Sequence, residues 1–182
     1  MALKKIFLLF LIIALMLAFI GGCKQETDYP PLKTVSKVDL NRYLGRWYEI
    51  ARIDHSFQKD CVASTAEYSL RADGDIRVIN RCRKISPDGK ISSIEGKAWV
   101  LDPDTQAWLK VQFFWPFAGD YVIMDLDSNN YSYAVVGHPS RDYLWILART
   151  PQMEEGLYDE IMKRIAEQGY DLKRIKKFAS SK

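Results

Sequence analysis

The sequence predicts an all-β domain: an eight-stranded antiparallel up-and-down barrel with one C-terminal α-helix packed outside. Residues 62–149 read as short β-runs bounded by turn signals. Consecutive hairpins at this spacing make an antiparallel meander, and eight strands suffice to close a barrel and remove its exposed edges. A single amphipathic stretch follows the last run, and after an all-β series it should pack on the barrel's outside.

The runs follow in order. "VASTAEYSL" (62–70) meets "DIRVINRC" (75–82) across Ala72-Asp73-Gly74, and Asp-Gly between alternating runs is a strong hairpin signal. "SPDGK" (86–90) is the next turn, with a short strand expected near Ile91. "IEGKAWVL" (94–101) ends at Asp102-Pro103-Asp104, and "AWLKVQFF" (107–114) ends at "WPFAGD" (115–120). "YVIMDL" (121–126), "YSYAVVG" (131–137) and "YLWILAR" (143–149) complete the series, separated by "DSNN" (127–130) and "HPSRD" (138–142). For the helix, Thr150 can cap, Pro151 suits the first helical position, and Glu154 and Glu155 sit near the positive end. Leu157, Ile161 and Ile165, with Tyr158 and Met162, form its apolar face, and Gly169 is the stop. "DLKRIKKF" (171–178) is a basic tail: a solvated extension, a partner site, or a contact for anionic lipid headgroups.

The first residues stand apart from this domain. Lys4 and Lys5 precede an unbroken apolar run, "IFLLFLIIALMLAFI" (6–20), which is short for a spanning helix and reads as a secretory signal. "IGGC" (20–23) resembles the lipobox of bacterial lipoproteins, which implies cleavage after residue 22 and acylation of Cys23. Lys24 stands where an inner-membrane retention signal would place Asp, so the resemblance implies an outer-membrane anchor facing the periplasm. Several acyl chains at about 0.8 kcal/mol per buried methylene make that anchor stable. Polar residues 24–38 contain two prolines and read as a tether, leaving 39–182 as the domain.

Composition fits a globular protein, with 48% hydrophobic and 27% charged residues. The net charge of +3 includes Lys4 and Lys5; without them 24 basic groups face 23 acidic ones. That balance gives no reason to expect nucleic acid as a partner. The aromatic content of 13% points to an aromatic-lined interior or interface.

"YLGRWYEIARIDHSF" (43–57) raises the question of active site or architecture. Gly45-x-Trp47 before the first strand, eight antiparallel runs, Arg149 at the end of the last run and a following helix together resemble the lipocalins. In that family the tryptophan plugs the closed end of the barrel and the arginine stacks over it. "MDLDSNNY" (124–131) matches the family's second motif only at Asp127; its threonine is absent. The resemblance covers about 39–178 and is tightest to the bacterial outer-membrane lipocalins and their apolipoprotein D-like relatives. It implies that Trp47 and Arg149 are closure residues, and that Asp54 and His55 lie in a loop crossing the open mouth, either as a solvated pair or as a gate.

In 107–113, Lys110 and Gln112 should face out, which points Leu109, Val111 and Phe113 inward. The resemblance places Trp145 and Tyr68 in the pocket. Tyr121 and Tyr133 are further liners whose parity the sequence leaves ambiguous. Each of these residues can be barrel core or ligand contact. No metal-ligand set or cofactor motif is evident. The ligand class the resemblance implies is fatty acid, lysophospholipid or a related amphiphile, held for storage or transport of membrane lipids rather than for catalysis. The alternatives are a lipocalin-fold enzyme using Cys61, Cys82 or His138, and an envelope lipoprotein with a filled barrel.

Two features stay open. "FFWPFAG" (113–119) is an apolar tip suited to a membrane or protein contact, a second copy of the chain included, or to folding back over the mouth. Cys61 and Cys82 would share an oxidising compartment. A two-residue Asp73-Gly74 loop, however, pairs Thr65 with Cys82 and leaves Cys61 roughly 13 Å away. A disulfide needs Cα atoms within about 7 Å, so a bond requires a bulge or a curled approach.

Overall fold

The computed structural model describes residues 29–84 and 89–178. The leader, Cys23 and most of the 86–90 turn lie outside these residues. The eight-stranded barrel is present: β1 (Gly45–Ile53), β2 (Cys61–Leu70), β3 (Ile76–Lys84), β4 (Ile91–Val100), β5 (Trp108–Phe114), β6 (Phe117–Leu126), β7 (Tyr133–Gly137) and β8 (Leu144–Ala148). Each pairs antiparallel with its successor, and β1 pairs with both β2 and β8, which closes the sheet. Closure leaves no long unpaired edge on the first strand.

Strand identities differ from the sequence expectation in two places. Residues 45–53 are themselves the first strand, whereas Ile91 and the 94–101 run belong to one continuous strand. β6 also begins earlier, at Phe117, so the "WPFAGD" turn is confined to its tip.

The β2–β3 hairpin has a different register from the one a two-residue loop would give. Arg71 N donates to Asp75 O, and Leu70 pairs with Ile76, so the loop holds three residues rather than two. Gly74 takes the left-handed position, with φ of 89°, that such a loop requires. Cys82 therefore pairs with Ser64, and a bulge between Cys61 and Ala63 shortens the remaining path.

Two apolar clusters lie on opposite faces of the barrel wall. One fills the lumen and includes Trp47, Tyr68, Val78, Leu109, Ile123, Val136 and Leu147. The other lies outside, where Ile50, Val122, Val135, Leu144 and Ile146 meet the helix. That helix runs Glu155–Glu167 and buries Tyr158, Ile161 and Ile165. Its cap is Glu154, whose carboxylate accepts from the Gly156 and Leu157 N–H groups. Thr150 instead donates its hydroxyl to Gln152 O, so the expected Thr150–Pro151 start lies outside the helix.

Both flanking segments are more ordered than their compositions indicate. Residues 29–38 do not hang free as a tether: Leu32 and Val38 are buried, and Val35 and Val38 donate backbone hydrogen bonds to Ile123 and Thr105. Within the basic tail, Ile175–Lys177 forms β9 along the outer half of β1, where β1 has parted from β2. A short helix, Leu40–Tyr43, capped by Asp39, leads into β1 across the bottom of the barrel.

Candidate functional site

Gly45 opens β1 at φ of 92°, a value that side chains with a Cβ rarely adopt, and this turns the chain under the barrel. Trp47 is then fully buried, and its indole N–H donates to Tyr43 O at 2.8 Å. The Arg149 guanidinium covers the indole at 3.8 Å. Its nitrogens also donate to the carbonyls of Arg42, Tyr43, Arg46 and Tyr131. Asp127 supports this lock by accepting from the Asn129, Asn130 and Ser132 N–H groups and the Ser132 hydroxyl, which fixes the turn that presents Tyr131.

Above this floor sits a tyrosine trio. The Tyr121 hydroxyl lies 2.8 Å from those of Tyr43 and Tyr68. Burial raises all three, Tyr68 to about 12 and the other two well above their usual value, so they remain neutral donors and acceptors. The space among them, Leu109, Val111 and Ile123 is about 10 Å³, room for one water and no ligand.

The wall continues upward with Val111, Phe113 and Trp145, all packed against the lumen cluster. Of the seven predicted liners, Tyr68, Leu109, Val111, Phe113, Tyr121 and Trp145 thus face inward. Tyr133 does not. It pairs with outward-facing Ala148, packs in the outer cluster, and its hydroxyl donates to Asp125 while accepting from Arg164 of the helix. Apolar residues on both faces of "YSYAVVG" concealed that parity.

The mouth is crossed by residues 54–60. Gln58 reaches down from this loop: its carbonyl accepts from the Trp145 indole at 2.9 Å, and its amide donates to Glu49 at 2.9 Å. Glu49 is paired with Arg52, and both side chains are almost wholly buried. Arg52 also donates to the carbonyls of Gln58 and Cys61 and to the Asp54 carboxylate, which joins β1, the loop and β2. Burial pushes Glu49 up, partly offset by Arg52 and Gln58. For Asp54 burial pushes upward, but the charges and hydrogen bonds of Arg52 and Lys176 together outweigh it and hold the carboxyl low. Beside the loop, an open hollow of about 600 Å³ is lined by Arg52, Asp54, His55, Lys59, Cys61 and Lys176.

His55 stacks on Phe57 at 3.6 Å and lies 5.4 Å from Trp145. Neither ring nitrogen has a hydrogen-bond partner. Burial, followed by the Arg52 charge, lowers its pKa to about 4.

Cys61 and Cys82 form a disulfide with Cα atoms 5.6 Å apart. The corrected hairpin register and the bulge supply the approach that the two-residue loop denied. The bond ties the end of the mouth loop to β3. His138 is on the rim, with Nδ1 2.9 Å from the Ser140 hydroxyl and Nε2 3.9 Å from Asp120.

Sequence reading missed Glu49, Gln58 and the part played by Tyr43. Glu49 was within reach: Trp47 points inward, and a period of two puts Glu49 inward as well. Gln58 carried no signal, because a loop residue's direction is set by tertiary contacts alone.

The sequence and the fold have known relatives. Residues 38–180 match the lipocalin-like domain model. The outer membrane lipoprotein Blc of Vibrio cholerae serotype O1 is 44% identical over 156 residues, covering 86% of this chain and 90% of that protein. Its counterpart in Escherichia coli strain K12 is 42% identical, covering 85% and 86%. The solved structure of insecticyanin from the tobacco hornworm Manduca sexta has the same fold, with a TM-score of 0.67, 20% identity, and coverage of 85% and 87%. The two bacterial relatives support the lipid-anchored, outer-membrane placement implied by "IGGC". The chain belongs to the lipocalin family, on the branch of the bacterial outer membrane lipoproteins.

Proposed function

We propose that this protein is a lipid-anchored lipocalin that binds a fatty acid, a lysophospholipid or a related amphiphile in the outer half of its barrel, for storage or transport in the cell envelope. Acylated Cys23 holds it to the outer membrane, facing the periplasm. The observation that carries the reading is the inward wall from Tyr121 and Tyr68 through Val111 and Phe113 to Trp145. It is apolar, aromatic, and supplied with a few polar atoms, the composition of a pocket for a hydrophobic ligand. At about 0.8 kcal/mol per methylene, partial enclosure of a C16–C18 chain gives micromolar affinity or better.

The described conformation has the loop tucked in, with Gln58 bonded to Trp145, and the space at the floor among the tyrosines, about 10 Å³, holds no ligand. Uptake therefore requires residues 54–60 to lift and Gln58 to release Trp145. A polar headgroup then meets the hollow beside the loop, where Lys59 lies near Asp60 and Lys176 pairs with Asp54. Binding rather than catalysis is favoured because Cys61 and Cys82 are bonded to each other and His138 lies on the rim.

The near-absence of space at the floor also favours a second reading, a structural lipoprotein whose barrel stays filled. Thermal melting separates the two. A ligand at one hundred times its Kd stabilises the native state by about 2.7 kcal/mol, so the melting temperature should rise with added lysophospholipid or fatty acid. No rise with any chain length would support the filled barrel.

A further inference from the structure

Among the described residues, eight large hydrophobic side chains are exposed, and five of them lie on the loops and strand ends of the mouth: Phe57, Ile91, Phe114, Trp115 and Phe117, with Tyr29 of the N-terminal segment a sixth at that end. Trp115 is 86% exposed, Phe117 78% and Phe114 68%. These last three form the tip of the β5–β6 hairpin, which projects at the same end as the 54–60 loop. Single exposed apolar residues are ordinary, but an aromatic tip beside a second exposed phenylalanine is a contact surface.

The course of the N-terminal segment indicates what covers it. The carbonyl of Pro30 accepts from Arg141, which belongs to the β7–β8 connection at the mouth. From there the chain descends alongside the barrel until Val38 bonds Thr105 at the closed end. Tyr29 is therefore at the mouth. Only five residues separate it from Cys23, so the six steps between them reach about 20 Å at full extension. A tilted ten-residue strand such as β6 rises about 25 Å. An anchor at Cys23 reaches lipid easily when the mouth faces the membrane, and falls short when the closed end does.

We propose that the mouth of the barrel faces the bilayer, with Trp115, Phe117 and Phe114 inserted among the lipids of the anchoring leaflet. The proposal rests on Cys23 being the lipid anchor and goes beyond ligand binding by fixing how the barrel meets its membrane. The adjoining loop carries Asp54 and Asp60 as well as Lys59, with Lys176 beside it, so charges offset and the apolar tip provides the attraction. Tryptophan and phenylalanine suit this depth, with their rings at the level of the headgroups and upper acyl chains. A ligand entering past the 54–60 loop then passes between leaflet and lumen without crossing water.

The test uses the mature acylated protein in phosphatidylcholine vesicles, with acylation at Cys23 verified by mass. The vesicles contain phosphatidylcholine brominated on its acyl chains, and tryptophan emission is compared between proteins with and without Trp115→Phe. Both carry Trp145→Phe, which removes the pocket's reporter, so a failure of ligand binding leaves this readout unchanged. The proposal expects bromine to quench the emission that Trp115 contributes, and vesicles to shield it from acrylamide. Equal acrylamide quenching with and without vesicles would overturn it, because the tip would then be in water. Shielding from acrylamide without bromine quenching would also overturn it, because a second copy of the chain would then cover the tip.

Discussion

The two ends of the barrel are built on opposite plans. At the closed end Trp47 is wholly buried with its N–H bonded, and Arg149 meets four carbonyls and an aromatic face. At the mouth, His55 is stacked with no partner for either ring nitrogen, and the loop is tied by polar side chains, Gln58 to Trp145 and Glu49, and Arg52 to Asp54 and Gln58 O. The floor is thus closed by a buried indole under a stacked guanidinium, whereas the lid is held by polar side-chain bonds around Gln58 and Arg52. Such an arrangement keeps the fold while its entrance moves.

Substitutions can break this contrast in order of size. Trp47→Ala should cost about 3–5 kcal/mol by leaving a cavity under Arg149, read as a large fall in the denaturant midpoint. An equal loss from Trp145→Ala would contradict the division into floor and entrance. Replacing both Cys61 and Cys82 by serine releases a loop of 21 residues' separation and should cost about 3 kcal/mol. Exchange protection should then fall first in residues 54–60 and in β2 near Cys61, leaving the Trp47 amide protected. Arg149→Lys should cost about 2 kcal/mol, because an ammonium cannot reproduce the forked bonds or the stacked plane. A neutral result would mean that Trp47 alone seals the end.

The smallest effect is a dependence on pH. Burial keeps His55 neutral in the closed loop, with a pKa of about 4 against an ordinary 6.5. A lowered pKa means that the open loop binds the proton better. Closure is fully stable above about pH 6.5 and weakens as pH falls toward 4. Acrylamide access to Trp145 should rise over that window, and His55→Phe, which keeps the stacking but does not titrate, should flatten the response.

Much of this architecture was legible because it follows from local rules. Strand alternation pointed Leu109, Val111 and Phe113 inward, whereas the floor at Gly45, Trp47 and Arg149 came from the family resemblance rather than from a local rule. What stayed hidden depended on tertiary geometry. Asp73-Gly74 serves two-residue and three-residue hairpins equally well, and the one-residue difference decided whether Cys61 could approach Cys82. Tyr133 lies between apolar faces, so periodicity had nothing to choose by. Residues 29–38 and 175–177 look like polar extensions, and only the barrel wall gives their backbones partners.

A lipid that enters beneath the 54–60 loop meets Trp145 first. The most direct measurement titrates the chain, with Cys23 replaced so that no acyl anchor competes, with fatty acids and lysophospholipids while following tryptophan emission. The account predicts a saturable change that is lost in a folded Trp145→Phe variant. A saturable change that survives that substitution would put the ligand elsewhere, and no saturable change with any chain would leave the barrel a filled structural element.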